Sequence, residues 1–232
     1  MRMDWNDCTM EAFNKASEYT RFHELVAEKL KSYVDSTSTL CDMGCGLALV
    51  DIYLSKYVKN ITCVDVNEKV IDYAKKNAEK KKVDNIKFLI SDFKDVDGFF
   101  DAILISFFSY EDVEYFSKHC NKLIVIVNNS DDTHIPVSDK KHEVVNLHTA
   151  ENLKKLLDQK NLKYSVETMN LQFGQPFENE DEIRAYADGF NKSGEKDKIF
   201  EHLMQNVQKG DGVAYYLPHD KRISIFVVEF DK

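Results

Sequence analysis

Short apolar runs alternate with longer amphipathic ones through the first 130 residues of the chain. The runs TLCDM (39–43), NITCVDV (60–66), NIKFLISD (85–92), FDAILIS (100–106) and KLIVIVNN (122–129) are rich in Ile, Val and Phe. Each has strand length and strand composition. Between them, the 3.6-residue period predicts helices over 48–58, 68–82 and 111–119. Ahead of the first strand, Phe22, Leu25, Val26 and Leu30 stand at helical spacing with charges between them, which predicts one amphipathic helix over 17–34. Strands apolar on both faces that alternate with helices predict a mostly parallel sheet covered on both sides, a doubly wound α/β fold. In such sheets ligands sit beyond the carboxyl ends of the strands, so the residues that end strands carry the chemistry.

The last third has a different rhythm. A helix over 149–160 leads into a long strand, KYSVETMNLQF (163–173), and the chain closes on RISIFVVEF (222–230). Between these strands, Asn179 with Glu182 three residues on forms a capping-box signature, and Phe200, Leu203, Met204 and Val207 form an apolar stripe ended by Gly210. Two helices are therefore expected within an insertion at 174–221. The chain is expected to be a single domain, 1–232, with an N-terminal helical segment at 1–37 and this insertion as a small helical cap. A connection this long is usually functional or disordered, and the capping box argues for order. The cap either roofs the acceptor, with Phe177, Tyr186, Tyr215, Tyr216 and His219 to hand, or pads the sheet or forms a dimer contact.

Composition narrows the class. The 232 residues are 43% hydrophobic and 31% charged with only three prolines, which fits a folded chain. A net charge of −9 disfavours nucleic acid as a partner, because each neutralised phosphate needs a Lys or Arg. Five cysteines form no CxxC pair and are odd in number, so no disulfide framework or metal site is expected. No run approaches the ~18 apolar residues of a membrane span, and the first residues lack the apolar stretch of a signal peptide. A cytoplasmic protein is expected.

The stretch Asp42-Met43-Gly44-Cys45-Gly46-Leu47-Ala48 joins the first strand to the next helix. One glycine permits an unusual backbone angle and the other lets a ligand approach the main chain. A dinucleotide turn requires a small residue at the sixth position, where this chain has Leu49. A carboxylate at Asp42 would also repel a pyrophosphate while suiting a cationic amino group. These residues resemble motif I of the class I S-adenosylmethionine-dependent methyltransferases, D/E-x-G-x-G-x-G, with Ala48 in place of the third glycine. Ala is small and a good helix former, so the exchange is expected to be tolerated.

The resemblance implies a Rossmann-like, seven-stranded sheet, S-adenosylmethionine as cofactor and S-adenosylhomocysteine as product. It covers roughly residues 17–130 and the final strand. It implies that Asp42, Gly44, Cys45 and Gly46 hold the amino-acid end of the cofactor. Asp65, 19 residues after Gly46, would take the ribose hydroxyls with Val66 beside it. Asp92 and Phe93 would read the adenine, and Ser106, at the motif IV position, would face the reactive methyl group, with Phe107 or Phe108 nearby.

A sulfonium is already an activated leaving group, so orientation and exclusion of water come first and a general base is optional. The motif IV stretch ISFFSY (105–110) lacks the Asn/Asp-Pro-Pro-Tyr/Phe sequence of amino methyltransferases acting on adenine or glutamine. His134 and Tyr110 are the candidates for a catalytic group, and Tyr19, Tyr215 and Tyr216 for an aromatic pocket. A small-molecule acceptor is expected. The alternatives are a protein or RNA acceptor, or a non-catalytic cofactor-binding protein. The acceptor atom and the oligomeric state are not legible.

Overall fold

The computed structural model describes residues 5–108, 111–129, 148–189 and 196–230. By internal contacts the chain divides into two compact units. The larger contains residues 23–129, 148–169 and 222–230 of the described chain, and the smaller contains 5–22, 170–189 and 196–221.

In the larger unit the alternating pattern becomes β1 (Thr39–Met43), α3 (Leu49–Leu54), β2 (Asn60–Asp65), α4 (Glu68–Lys80), β3 (Ile86–Ile90), β4 (Phe100–Ser106), α5 (Val113–His119), β5 (Cys120–Asn128) and α6 (Ala150–Gln159). With β6 (Tyr164–Gln172) and β9 (Asp220–Glu229) the strands form one seven-stranded sheet in the order β3-β2-β1-β4-β5-β9-β6. Strands β1 to β5 pair in parallel, and β9 runs antiparallel to β5. The order reverses at β1, so the carboxyl ends of β1 and β4 flank the point where the chain changes direction along the sheet.

Both faces of the central strands are buried, as the sequence pattern requires. Successive residues of β4 and β5, Ile103, Leu104, Ile105 and Ile124, Val125, Ile126, are all fully buried although their side chains alternate in direction. On one face Cys41, Met43, Ile103, Ile105, Leu123 and Val125 pack with Phe116 of α5, Leu153 and Leu157 of α6, and Phe226. A Leu or Ile buried this fully contributes about 1.5–3 kcal/mol relative to leaving it in water.

The smaller unit holds α1 (Asp7–Thr20), β7 (Gln175–Phe177), α7 (Glu180–Gly189), α8 (Lys196–Asn206) and β8 (Tyr215–Leu217). Its core joins Ala12, Phe177, Ile183, Tyr186, Ala187, Ile199, Leu203 and Leu217. The capping signature at Asn179 is realised: its side chain accepts from Glu182 N at 2.9 Å, while the Glu182 carboxylate reaches back to Glu178 N at 3.1 Å. Strands β7 and β8 pair antiparallel, and Gln208 extends the pair by exchanging backbone bonds with Tyr216 at 2.8 and 2.7 Å. Phe177 and Tyr186, two of the aromatics of the expected cap, form an edge-to-face pair in this core with centroids 5.3 Å apart.

One expected element differs. The single helix over 17–34 is two helices, α1 and α2 (Phe22–Leu30), parted at Arg21, whose φ of 57° lies in the left-handed region. The first begins ten residues earlier than expected, because Asn6 and Thr9 close a reciprocal capping box, each side chain accepting the other's backbone N–H at 2.9 Å. No helix among the described residues is long and apolar enough to cross a membrane.

Candidate functional site

Strand β1 ends in a loop whose backbone is left-handed at three places, Gly44 (φ 83°), Gly46 (φ 54°) and Ala48 (φ 54°). The loop is bound to the end of β2: Gly44 N and Cys45 N both donate to Val64 O, at 2.8 and 3.0 Å. Ala48 N returns to Cys45 O at 3.0 Å, and Asn77 of α4 donates from its side chain to Leu47 O. Helix propensity therefore does not act at Ala48. The residue stands outside α3 as its cap residue, in a conformation that costs an L-residue roughly 1–2 kcal/mol, and its methyl group is fully buried.

Asp65 has a double role at the end of β2. One carboxylate oxygen accepts from Gly46 N at 3.2 Å and the other from Asn67 N at 2.9 Å, so the side chain ties the glycine loop to the start of α4. Each oxygen keeps acceptor capacity after one such bond. Val66, next in the chain, is half exposed.

Asp42 is 2% exposed and its Oδ1 has no hydrogen-bond partner. Facing it is Asp51, a residue the sequence reading did not single out, on the buried side of α3 at 1% exposure and with both carboxylate oxygens unpartnered. Burial, and then the Asp51 charge, hold the Asp42 carboxyl well above the usual carboxylate range. Burial pushes Asp51 up to about 6. The signal for Asp51 was present: a carboxylate set among apolar residues in LVDIYL (49–54), on a helix too short to offer it a solvent face.

Asp92 caps a short 3-10 turn, accepting from Lys94 N at 3.0 Å, and is exposed. Phe93 is the centre of an aromatic cluster: its ring meets Phe108, Tyr115 and Phe116 at centroid distances of 5.9, 5.7 and 5.8 Å. Its carbonyl accepts from the Tyr115 hydroxyl at 2.8 Å. At the end of β4, Ser106 has a buried and unpartnered Oγ, and Phe107 adopts φ 56° with its N–H bonded to Ile126 O. That left-handed residue is followed by Phe108, whose ring lies on Gly44. At the end of β5, Asn128 has an unpartnered buried Oδ1, another polar atom the sequence reading missed.

The structure thus brings Gly44, Cys45, Gly46 and Asp65 into one hydrogen-bonded loop system next to Asp42, with the Phe108 ring on Gly44 and Phe93 packed edge-on against Phe108. Ser106 ends β4 beside β1. His134 and Tyr110 lie outside the described residues. Among the described residues no group of three or more His, Cys, Asp or Glu could hold a metal ion.

The smaller unit contains a cavity of about 480 Å³ lined by Tyr19, Thr20, Gln172, Gln208, Tyr216 and Pro218. Tyr19 and Tyr216, named in the sequence as candidate pocket aromatics, meet here with centroids 5.1 Å apart. The Tyr216 hydroxyl donates to the Gln172 side chain at 3.1 Å, and the Tyr19 oxygen accepts from Asp211 N at 2.8 Å.

Residues 40–125 match a family described as "Methyltransferase domain". The chain is 33% identical over 76 residues to the ribosomal protein L11 methyltransferase of Thermotoga neapolitana, a stretch covering 32% of this chain and 29% of that protein. It is 35% identical over 65 residues to the enzyme of the same name from Acetivibrio thermocellus, covering 28% and 21%. The chain therefore spans under a third of the length of these curated relatives. Among solved structures it superposes on a SAM dependent methyltransferase from Aquifex aeolicus with a TM-score of 0.55 and 12% identity, covering 98% of this chain and 100% of that one. The YcgJ protein of Bacillus subtilis gives a TM-score of 0.54 at 15% identity, covering 91% and 100%. A precorrin-6y C5,15-methyltransferase from Geobacter metallireducens gives 0.55 at 12%, covering 90% and 87%. At these identities the likeness is one of fold.

Proposed function

We propose that the chain is a class I S-adenosylmethionine-dependent methyltransferase that transfers the methyl group of this cofactor to a small-molecule acceptor, a reading supported by the methyltransferase-domain match over residues 40–125 and by the likeness of fold. The observation that carries the reading is the Asp42–Gly44–Gly46–Asp65 loop system, in which one buried carboxylate oxygen is left without a partner. That orphan fits the ammonium end of the cofactor, since a buried acceptor without a donor costs free energy that a cationic donor returns.

In this reading Asp42 and the Gly44–Gly46 backbone hold the amino-acid end. Asp65, Val66, Asp92 and Phe93 hold the nucleoside, and Ser106 stands beside the reacting centre. When bound, the cofactor supplies a sulfonium whose methyl carbon is open to displacement by a nucleophile. The chain's contribution is placement: Phe93 and Phe108 offer an apolar surface on one side, and the left-handed loop fixes the main chain at the point of approach. His134 and Tyr110 remain the candidates for taking a proton from the acceptor.

Two features support a small molecule over a macromolecule. The net charge of −9 opposes a polyphosphate chain. The cavity of about 480 Å³ in the smaller unit is within the size range of small-molecule sites. The L11 methyltransferases share too little of their length with this chain to carry their acceptor over to it.

The test has two arms. Calorimetric titration should detect S-adenosylhomocysteine and not NAD; binding of NAD alone would overturn the cofactor reading. Incubation of the protein and methyl-labelled cofactor with a cell extract should place the label in the low-molecular-mass fraction. Label recovered in protein or RNA would keep the cofactor reading and overturn the acceptor.

A further inference from the structure

The buried carboxyls of Asp42 and Asp51 face one another, Asp42 Oδ1 and both Asp51 oxygens lack a hydrogen bond of good geometry, and the donors beside Asp51 are its own backbone N–H and the Cys63 thiol. Two ionised carboxylates are acceptors only, so neither can satisfy the other. The other titratable groups facing them add no positive charge: Cys45 and Asp65 stand toward Asp42, Cys63 toward Asp51, and Cys41 beside both. The thiols of Cys41 and Cys63 are themselves pushed up, chiefly by burial, and are neutral. A single proton resolves this arrangement. It turns the acceptor–acceptor contact into an O–H···O⁻ bond and leaves one negative charge where two would repel at low dielectric.

We propose that Asp51 is a positioning residue for the cofactor: with Asp42 it holds one proton between the two carboxyls, and capture of the cofactor's ammonium end at Asp42 expels that proton to solvent. This rests on the cofactor reading above and adds to it a residue and a linkage that the strand-end pattern does not contain. The balance is simple. The carboxyl O–H bond breaks, its electron pair stays on the carboxylate, the proton passes to buffer, and the incoming ammonium takes over as counter-charge. Asp51 keeps the empty site from carrying two charges, and Asp42 is returned to its ionised form when a cation arrives. The two carboxylates together then offer a field that a neutral nucleoside cannot exploit.

The experiment is titration of the full chain with S-adenosylhomocysteine in phosphate and in Tris, buffers of different ionisation enthalpy, between pH 6 and 8. The expected result is a buffer-dependent heat corresponding to release of up to one proton per ligand. Affinity should fall up to tenfold for each pH unit lowered in the range where the pair is fully protonated by one. 5′-Methylthioadenosine, which has the nucleoside and sulfur but no amino-acid end, should bind without releasing a proton. Asp51→Asn, whose amide donates permanently to Asp42, should still bind S-adenosylhomocysteine and release close to none. Binding with equal heats in the two buffers would overturn the proton pair and leave the cofactor reading standing. No binding at any pH would overturn both. The two-buffer measurement on the parent protein needs no variant, so a misfolded Asp51→Asn protein would not shield the proposal.

Discussion

The ring of Phe108 lies on the α-carbon of Gly44: a Cβ placed at Gly44 would stand 2.9 Å from Phe108 Cγ. The contact joins the turn after β1 to the chain beyond β4, and it depends on Phe107, whose left-handed backbone redirects the next residue. Glycine is required at position 44 twice over, for its φ of 83° and for the closeness of this ring.

Gly44→Ala should therefore be destabilised by two separable terms. The left-handed backbone costs roughly 1–2 kcal/mol for any L-residue, and the clash adds to it because the ring's Cγ is held close to the backbone. In a double-mutant comparison, Phe108→Ala should recover the steric part and leave the backbone part. Thermal melts of the two single variants and the double variant check this. Strict additivity of the two substitutions would show that the ring and the glycine are not coupled.

Replacement of Asp65 should be felt in two assays at once. The carboxylate accepts from Gly46 N and Asn67 N. Hydrogen bonds to a charged group are worth about 1.5–3 kcal/mol each. Asp65→Ala should lower the melting temperature, and it should weaken S-adenosylhomocysteine binding by one to two orders of magnitude. Asp65→Asn keeps one acceptor oxygen and should retain more of the loop's stability than of the ligand affinity. Unchanged affinity in both variants would remove Asp65 from the nucleoside site.

How far the site is legible in the sequence follows from which residues obey a period. Asp42, Asp65 and Asp92 were readable because strand ends recur at regular intervals in an alternating chain, and the parallel β1 to β5 sheet places them as expected. Asp51 interrupts the apolar run of α3, a signal visible in the sequence, but its role depends on Asp42, which it meets only in the fold. Phe108 was named together with Phe107, but its direction was unreadable, since that is set by the φ of Phe107. The break at Arg21 has no Gly or Pro to announce it, and the strands Gln175–Phe177 and Tyr215–Leu217 are three residues each, too short for an alternation to show.

Ala48 tests a balance of small terms. Ala48→Gly relieves a left-handed alanine, worth roughly 1–2 kcal/mol. It also loses a buried methyl, about 0.8 kcal/mol, and gains glycine's chain entropy, roughly 0.5–1 kcal/mol. The terms cancel, so the melting temperature should move by no more than a few degrees. Ala48→Val should be strongly destabilised, because a β-branched residue is a severe outlier at this φ. A valine variant as stable as the parent would mean the loop can leave its left-handed conformation.

The carboxyl pair also predicts how stability without ligand depends on pH. Asp51 is raised from its ordinary value to about 6 by burial, and Asp42 is raised well above its own ordinary value, chiefly by burial. A raised folded-state value means the folded protein binds more protons than the unfolded chain between roughly pH 4 and 6 and above, so these groups' contribution is complete below pH 4 and is lost as pH rises through 6. Exposed carboxylates in ion pairs, such as Glu28 with Lys31, are held low instead and lose stability in the opposite direction, on acidification. The total profile mixes the two signs. The difference between parent and Asp51→Asn isolates the pair: the variant should gain stability over the parent as pH rises from 5 to 8, and the gain should vanish near pH 4. Denaturant unfolding of both proteins at four or five pH values measures it. A difference that stays constant with pH would mean the two carboxyls titrate as ordinary exposed acids, and their burial beside the glycine loop would then need another account.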